Sequence, residues 1–394
     1  MKIRFGVIGA DPRRRSSFIF HNFSRERAEL VAVCDRDAEQ FPRLKETYPE
    51  FENVKTYTDY RDLVKDPDIE AVFVVVRDDF HEEMAVAALE AGKAVYLEKP
   101  MAISIEGCDN ILKAAMRSGS KLMVGHNMRY MNFVLKMKEI IDSGVIGEIQ
   151  SVWVRHFVNY GSCYFRHWCA ERKNSNGLLL QKGAHDIDII HWLAGGYTQR
   201  AVAMGKLSVY NRTEKHLAPG EKPDRFVSFT PECWPPLELT GLNGQMDIED
   251  HSMLLMQLDN GVQASYEHCM YAPDSERNYT FIGTKGRLEN IGDNRPGTEI
   301  HVWTNRGSRQ QPDIVYKVNQ GTGSHGGSDP LILEGFFDFL EKDLPPHVSP
   351  IAARNAVAAG VMGHVSMRSG SMPCDIPALD EELIRYFENG QKKA

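Results

Sequence analysis

Ile3-Arg4-Phe5-Gly6-Val7-Ile8-Gly9-Ala10 opens the chain with a short, mostly apolar run that stops at a glycine. A buried strand that ends in a tight glycine turn is how a βαβ unit begins. Working outward, residues 29–34 form a second apolar run, ending at Asp35. Residues 54–57, 71–76, 94–97 and 122–125 continue the series. Residues 71–76, Ala-Val-Phe-Val-Val-Val, have no polar alternation, as expected of a parallel strand covered on both faces. Helical stretches separate the strands at 16–27, 37–48, 59–64, 81–91 and 104–118. Asp59 caps one, and Gly92 and Gly119 close two others. This alternation predicts an α/β Rossmann fold, a doubly wound parallel sheet, over residues 1–126.

Beyond residue 127 the pattern changes. Helices are expected at 134–143 and 183–193. Residues 149–158 alternate like a half-exposed strand. Residues 251–258 and 262–270 flank the turn Asp259-Asn260-Gly261. Residues 281–288 read as one more strand, broken at Gly283 and Gly286. Residues 211–248 are rich in Pro, Gly and charge and read as a long loop. Residues 331–340 and 350–369 are helical, the latter expected to pack back on the first domain. Residues 127–394 are thus expected to form an α+β substrate-binding and oligomerisation domain around an open, mostly antiparallel sheet. An open sheet leaves an apolar face that needs cover, so a homodimer or homotetramer is expected.

The bulk composition narrows the partners. The chain has 394 residues, 42% hydrophobic, with a formal charge of −8. That balance argues against nucleic acid, and against an anionic membrane, as the main partner. No apolar run approaches about 18 residues, so no membrane span is expected. The first residues lead straight into a strand, so no secretory leader is expected. Seven scattered cysteines fit reduced thiols and a cytoplasmic location. Cys163, His167 and Cys169, with His156 upstream, contain no C-x-x-C pair, so no metal is expected there.

A dinucleotide pyrophosphate needs backbone N–H groups presented at a tight turn. Gly9-Ala10-Asp11-Pro12-Arg13-Arg14 keeps only the first glycine of G-x-G-x-x-G. Asp11 sets a carboxylate where phosphates would approach, and Arg13, Arg14 and Arg15 are placed to offset it. Asp35, ending the second strand, suits the ribose hydroxyls and favours NAD over NADP. Arg36 beside it keeps NADP as the alternative.

Glu98-Lys99-Pro100 follows the fifth strand, at the edge where ligands sit in such sheets. Together with Gly6-Val7-Ile8-Gly9, the run Ala87 to Lys93, and the segment Asn176 to Asp188, it resembles the glucose–fructose oxidoreductase/inositol dehydrogenase/rhizopine-catabolism (Gfo/Idh/MocA) family. The resemblance spans nearly the whole chain. It implies that Lys99 and His185 are catalytic: a neutral His takes the hydroxyl proton, a Lys ammonium steadies the alkoxide, and the nicotinamide accepts the hydride. The implied cofactor contacts are Gly9, Ala10, Asp11, Arg13, Arg14, Asp35, Arg36, Val76, Arg77, His81, Glu98 and Lys99. Val76-Arg77 replaces the family's usual Thr-Pro.

A second departure is Gln181, where relatives carry an Asp, with Lys182 next to it; Asp188 is placed to orient His185. Tyr164, Arg166, His167 and Trp168, with Gln181 and Lys182, are the expected substrate contacts. His325, in the glycine-rich loop 321–329, joins them. The expected activity is hydride transfer between NAD(P) and a secondary hydroxyl of a sugar, polyol or glycoside. Two alternatives follow from the departures: redox-neutral, NAD-dependent glycoside cleavage, and a nucleotide-binding regulator.

Overall fold

The computed structural model describes residues 2–214, 216–218, 221, 234–307, 311–321 and 323–392. The chain forms two compact units. One comprises Met1–Tyr130, Gly323–Arg354 and Ala378–Ala394; the other comprises Met131–Thr322 and Asn355–Pro377.

The first unit is built on six parallel strands: β1 (Ile3–Ile8), β2 (Ala28–Cys34), β3 (Lys55–Tyr57), β4 (Ala71–Val74), β5 (Ala94–Leu97) and β6 (Leu122–Val124). Their order is β3-β2-β1-β4-β5-β6, so the direction of winding reverses between β1 and β4. An aromatic row crosses the sheet. Phe5, Phe73 and Tyr96 follow one another at 5.0 and 5.1 Å between ring centroids. Phe336, from the helix Ser328–Lys342, packs edge-on against Phe73 at 5.3 Å. Fully buried rings of this kind contribute about 1.5–3 kcal/mol each, which explains why Gly323–Arg354 gathers with the parallel sheet. Asp59 and Ser104 cap their helices through side-chain bonds, and Gly119 ends the second at φ +73°.

The helix after the first strand is shorter than the sequence suggests. It covers Ser17–Asn22 rather than 16–27, because Phe23 turns back to pack against Phe5 and Phe51.

The second unit carries a mixed, mostly antiparallel sheet of nine strands: β7 (Ile149–Phe157), β8 (Thr198–Lys206), β9 (His251–Leu258), β10 (Gln263–Cys269), β11 (Glu276–Gly283), β12 (Arg287–Ile291), β13 (Glu299–Trp303), β14 (Ile314–Lys317) and β15 (Cys374–Asp375). Among the described residues of this sheet, only the β10–β7 pair runs parallel. Residues 281–288 are not one strand. The chain reverses between Gly283 and Gly286, whose backbone groups bond at 2.8 Å, and β11 pairs antiparallel with β12. The described parts of 211–248 hold only short helical turns and one bridge, Leu217 to Asn243. The rest of that expected loop lies outside the described residues. The helix Gly183–Ala194 lies against β7 and β10. Among the described residues, no helix is long and apolar enough to cross a membrane.

Candidate active site

In a parallel sheet the carboxyl ends of the strands face one edge, and a crevice opens where the winding reverses. In the first unit that place lies between β1 and β4. Gly9 sits there at φ +102°, and a Cβ would lie 2.0 Å from the Val75 carbonyl oxygen. No other residue fits. The Ala10 N–H donates to Asp35 Oδ2 at 3.0 Å, and Asp37 N–H donates to Oδ1 at 3.0 Å. These bonds tie the glycine turn to the end of β2. Burial raises the Asp35 carboxyl above its ordinary value, with the two N–H bonds opposing.

Asp11 does not stand bare in the turn. Its carboxylate accepts from Arg13 N and Nε at 3.0 Å and from Arg14 Nε at 3.1 Å. Burial works against its ionisation, but the Arg13 bonds and the charges of both arginines hold its pKa below the usual range. Its repulsion of a pyrophosphate is therefore largely neutralised. Arg15 does not share this task, contrary to expectation. It lies over the Phe18 ring at 3.9 Å and pairs with Glu98 at 3.1 Å and Asp329 at 3.6 Å.

That pairing organises the loop bearing Lys99. Glu98 is buried, and its Oε1 faces Arg15; its Oε2 accepts the Lys99 N–H at 3.3 Å. Asp329 in turn accepts from Asn127 Nδ2 and pairs with His325 Nδ1, each at 2.9 Å. His325 thus stands beside Asp329 in the first unit. His81 is fully buried, with Nδ1 2.6 Å from the Pro100 oxygen and Nε2 3.2 Å from the Val76 oxygen. With no exposed surface, it acts by joining the Lys99 loop to the segment after β4. Arg36 and Arg77 converge on the Phe80 ring, at 5.5 and 5.2 Å, and Arg77 forks onto Asp79.

Asp78 was not singled out from the sequence. It is buried, its Oδ2 meets no hydrogen-bond partner among the described residues, and burial lifts its carboxyl well above the usual range against the pull of Lys99. Nothing in Val76-Arg77-Asp78-Asp79 separates it from a solvated turn acid; only its burial does.

In the second unit, His185 is nearly buried in the first turn of Gly183–Ala194. The polar centre beneath it is Asp186, also missed in the sequence. Asp186 accepts from Tyr266 Oη at 2.9 Å, from Arg277 Nε at 3.0 Å and from Tyr279 Oη. His156 Nδ1 lies 3.1 Å away. Strand register assembles this group. His156 on β7 stands opposite Arg277 on β11 and His268 on β10, so Tyr266 and Tyr279 share their face. Burial opposes the Asp186 charge, but Arg277, His156 and the phenol bonds hold its carboxyl far below the usual range. Burial and Arg277 push His156 down to about 3, so it is neutral.

The segment 160–168 divides. Tyr164 belongs to an apolar cluster with Phe165, Tyr210 and Leu242, and Trp168 packs on its edge. Arg166 Nη1 donates to the Thr240 oxygen at 2.5 Å and the Gly241 oxygen at 3.3 Å, pinning a loop. His167 links two short helical turns, and its carbonyl accepts from Asn243 Nδ2. Gln181 is buried at the end of Leu178–Gln181. Lys182, the next residue, is partly exposed between the Tyr160 and Tyr164 rings. Asp188 is buried on the His185 helix. Among the described residues, no three His, Cys, Asp or Glu side chains are grouped to hold a metal.

Two stretches of the chain match known domain families. Residues 3–126 match the family described as oxidoreductase family, NAD-binding Rossmann fold, and residues 138–376 match the oxidoreductase family C-terminal alpha/beta domain. The chain belongs to the Gfo/Idh/MocA oxidoreductase family, and its first domain is that family's NAD-binding domain. It is 27% identical over 391 residues to YteT of Bacillus subtilis (strain 168), which is named only as an oxidoreductase; the match covers 87% of this chain and 88% of that protein. It is 33% identical over 192 residues to the inositol 2-dehydrogenase of Salmonella typhimurium (strain LT2). That match covers 48% of this chain and 53% of the dehydrogenase, so the chain spans about half the length of that relative. The structure of a levoglucosan dehydrogenase, in complex with NADH and levoglucosan, superposes with a TM-score of 0.77 at 18% identity, covering 96% of this chain and 100% of that one. This last likeness is one of fold.

Proposed function

We propose that the protein is an NAD-dependent dehydrogenase that oxidises a secondary hydroxyl of a sugar, polyol or glycoside. The observation that carries this is the crevice edge of the parallel sheet. Gly9, Asp35 and Lys99 follow the ends of β1, β2 and β5 at the side where such sheets hold ligands. The residues fit the dinucleotide: Gly9 makes the tight turn at φ +102° against the Val75 carbonyl, which a side chain would not allow, and the Asp11 charge is neutralised in place. The turn 9–14 would hold the pyrophosphate and Asp35 the adenosine ribose, which favours NAD. When bound, NAD supplies the hydride acceptor. His185 takes the proton from the substrate hydroxyl, and the Lys99 ammonium stabilises the charge left on that oxygen. The similarity to the inositol 2-dehydrogenases supports the substrate class. In the test, the protein is mixed with NAD and a panel of cyclic polyols, pyranoses and glycosides, and NADH absorbance is followed. Reduction by at least one compound is expected. No reduction across the panel, with NADH still bound, would remove the reading.

A homo-oligomer belongs to the same proposal. Trp153, Met204, Met253 and Leu255 are 43–63% exposed. Met204 stands opposite Met253, and Ser265 stands opposite both Leu255 and Trp153, so the four share one face of the sheet. A contiguous apolar face of this kind needs cover. Leu255→Glu is expected to shift the protein to monomer in light scattering. A cytoplasmic location fits six free thiols among the described residues.

A further inference from the structure

Lys182 has an unusual setting for a lysine. Its Nζ lies 3.5 Å from Tyr160 Oη, 5.6 Å from the Tyr160 ring centroid and 5.8 Å from that of Tyr164. No described carboxylate forms an ion pair with it. The two nearby acids serve another cation. Asp186 is bonded to Arg277 Nε, and Asp293 Oδ2 accepts the Arg277 N–H at 2.9 Å. Phenol faces attract a cation only modestly. Lys182 is thus an ammonium drawn partly out of water, with no anion of its own, three residues before His185.

Such a charge is costly, and two events relieve it: loss of the proton or arrival of an anion. We propose that Lys182 is the recognition site for a carboxylate on the substrate, so that the oxidised compound is a sugar acid or its glycoside rather than a neutral sugar. This rests on the dehydrogenase reading and specifies its substrate. One unmatched positive charge calls for one negative charge. A carboxylate supplies that, whereas a phosphate carries nearly two. Lys182 immediately precedes the helix Gly183–Ala194 that carries His185 in its first turn.

The proton balance follows from the surroundings. The groups facing Lys182 are Arg277 on β11, Asp186 on its own helix, Cys163 and Tyr164 on Ser162–Arg166, Tyr160 before that helix, Asp293 after β12, His156 on β7 and His268 on β10. Burial, reinforced by Arg277, lowers the Lys182 pKa to about 7. A bound carboxylate raises it again. At about pH 8 the free amine is mostly neutral, so a carboxylate ligand takes up a proton as it binds and a neutral sugar does not.

Calorimetry on the NADH-loaded protein reads this without turnover, since NADH and an alcohol do not react. D-glucuronate and D-galacturonate are compared with D-glucose and D-galactose, at about pH 8, in buffers of different ionisation enthalpy. At least one hexuronate is expected to bind about tenfold or more tightly than its parent hexose, taking up close to one proton. Lys182→Met is expected to lose both the preference and the uptake. Lys182→Arg, whose charge is permanent, is expected to keep the preference and lose the uptake. Absence of any hexuronate preference in the wild type overturns the proposal, as does a preference that survives in Lys182→Met. If hexuronates bind in this way but no compound reduces NAD, the dehydrogenase reading falls and carboxylate recognition stands.

Discussion

Lys99 and Lys182 sit in surroundings of opposite sign. Lys99, in the parallel-sheet unit, follows the buried Glu98 and lies within the field of Asp78. Lys182, in the mixed-sheet unit, has phenol rings and the Arg277 charge for neighbours, and its pKa falls to about 7. The contrast separates two jobs for one side chain. An ammonium set among acids can steady negative charge on a reacting oxygen. A lysine without an acid holds its proton only when a ligand brings the counter-charge. In both units one arginine–carboxylate contact sets the frame: Arg15 with Glu98 in the first, Arg277 with Asp186 in the second.

The contrast breaks most visibly at Lys99. Lys99→Met is expected to lower kcat/KM by about 10²–10⁴-fold on every substrate, with NADH binding, read by fluorescence, little changed. A loss below tenfold would mean that the acids around Lys99 serve only structure.

Asp186→Asn comes next. It strands the buried Arg277 charge, and truncating one partner of a buried pair costs about 3–5 kcal/mol. Denaturant unfolding should show that loss. The sign with pH also follows. The Asp186 carboxyl lies far below its ordinary value in the folded chain, so its stabilisation is full above the ordinary carboxylate range and fades as pH falls beneath it. The gap between variant and wild type should therefore narrow in acid. An unchanged midpoint near neutrality would remove Asp186 as the frame of the second unit.

A smaller effect sharpens the Lys182 side. Carboxylate recognition needs the ammonium, so wild-type kcat/KM on a sugar acid should fall as pH rises through about 7. The limiting slope is about tenfold per pH unit, and Lys182→Arg should flatten that limb. A falling limb that stays in the arginine variant belongs to another group that must keep its proton.

The smallest effect is at Asp11. Because Arg13 and Arg14 already neutralise it, Asp11→Asn should change NADH affinity by less than about threefold at physiological salt, as expected for partly exposed pairs. Tightening by tenfold or more would show that the carboxylate repels the pyrophosphate after all.

What was legible in the sequence follows the same physics. The parallel strands showed themselves because each is buried on both faces and reads as an apolar run. β8 was missed because Thr198-Gln199-Arg200-Ala201 has little β character, and β13 and β14 were missed because they are short. The hairpin at Gly283–Gly286 was hidden because apolar residues continue on both sides of the turn. Lys99, His185 and Lys182 were singled out by their place in the chain and by the family resemblance. Asp78 and Asp186 were not, since an acid reveals its role only through burial and partners, and those come from elements far apart in sequence. Arg15 was read as serving Asp11, its near neighbour, when the fold gives it Glu98 and Asp329.

The most direct measurement of the central claim follows the label on a substrate deuterated at its carbinol carbon, incubated with the protein and NAD. Mass spectrometry of the cofactor is expected to show deuterium on the reduced nicotinamide, formed together with an equal amount of ketone, and both products about 10²-fold or more slower with Lys99→Met. Cleavage of a glycoside with no net NADH, and exchange of the neighbouring C–H with water, would contradict the account and point to redox-neutral chemistry instead.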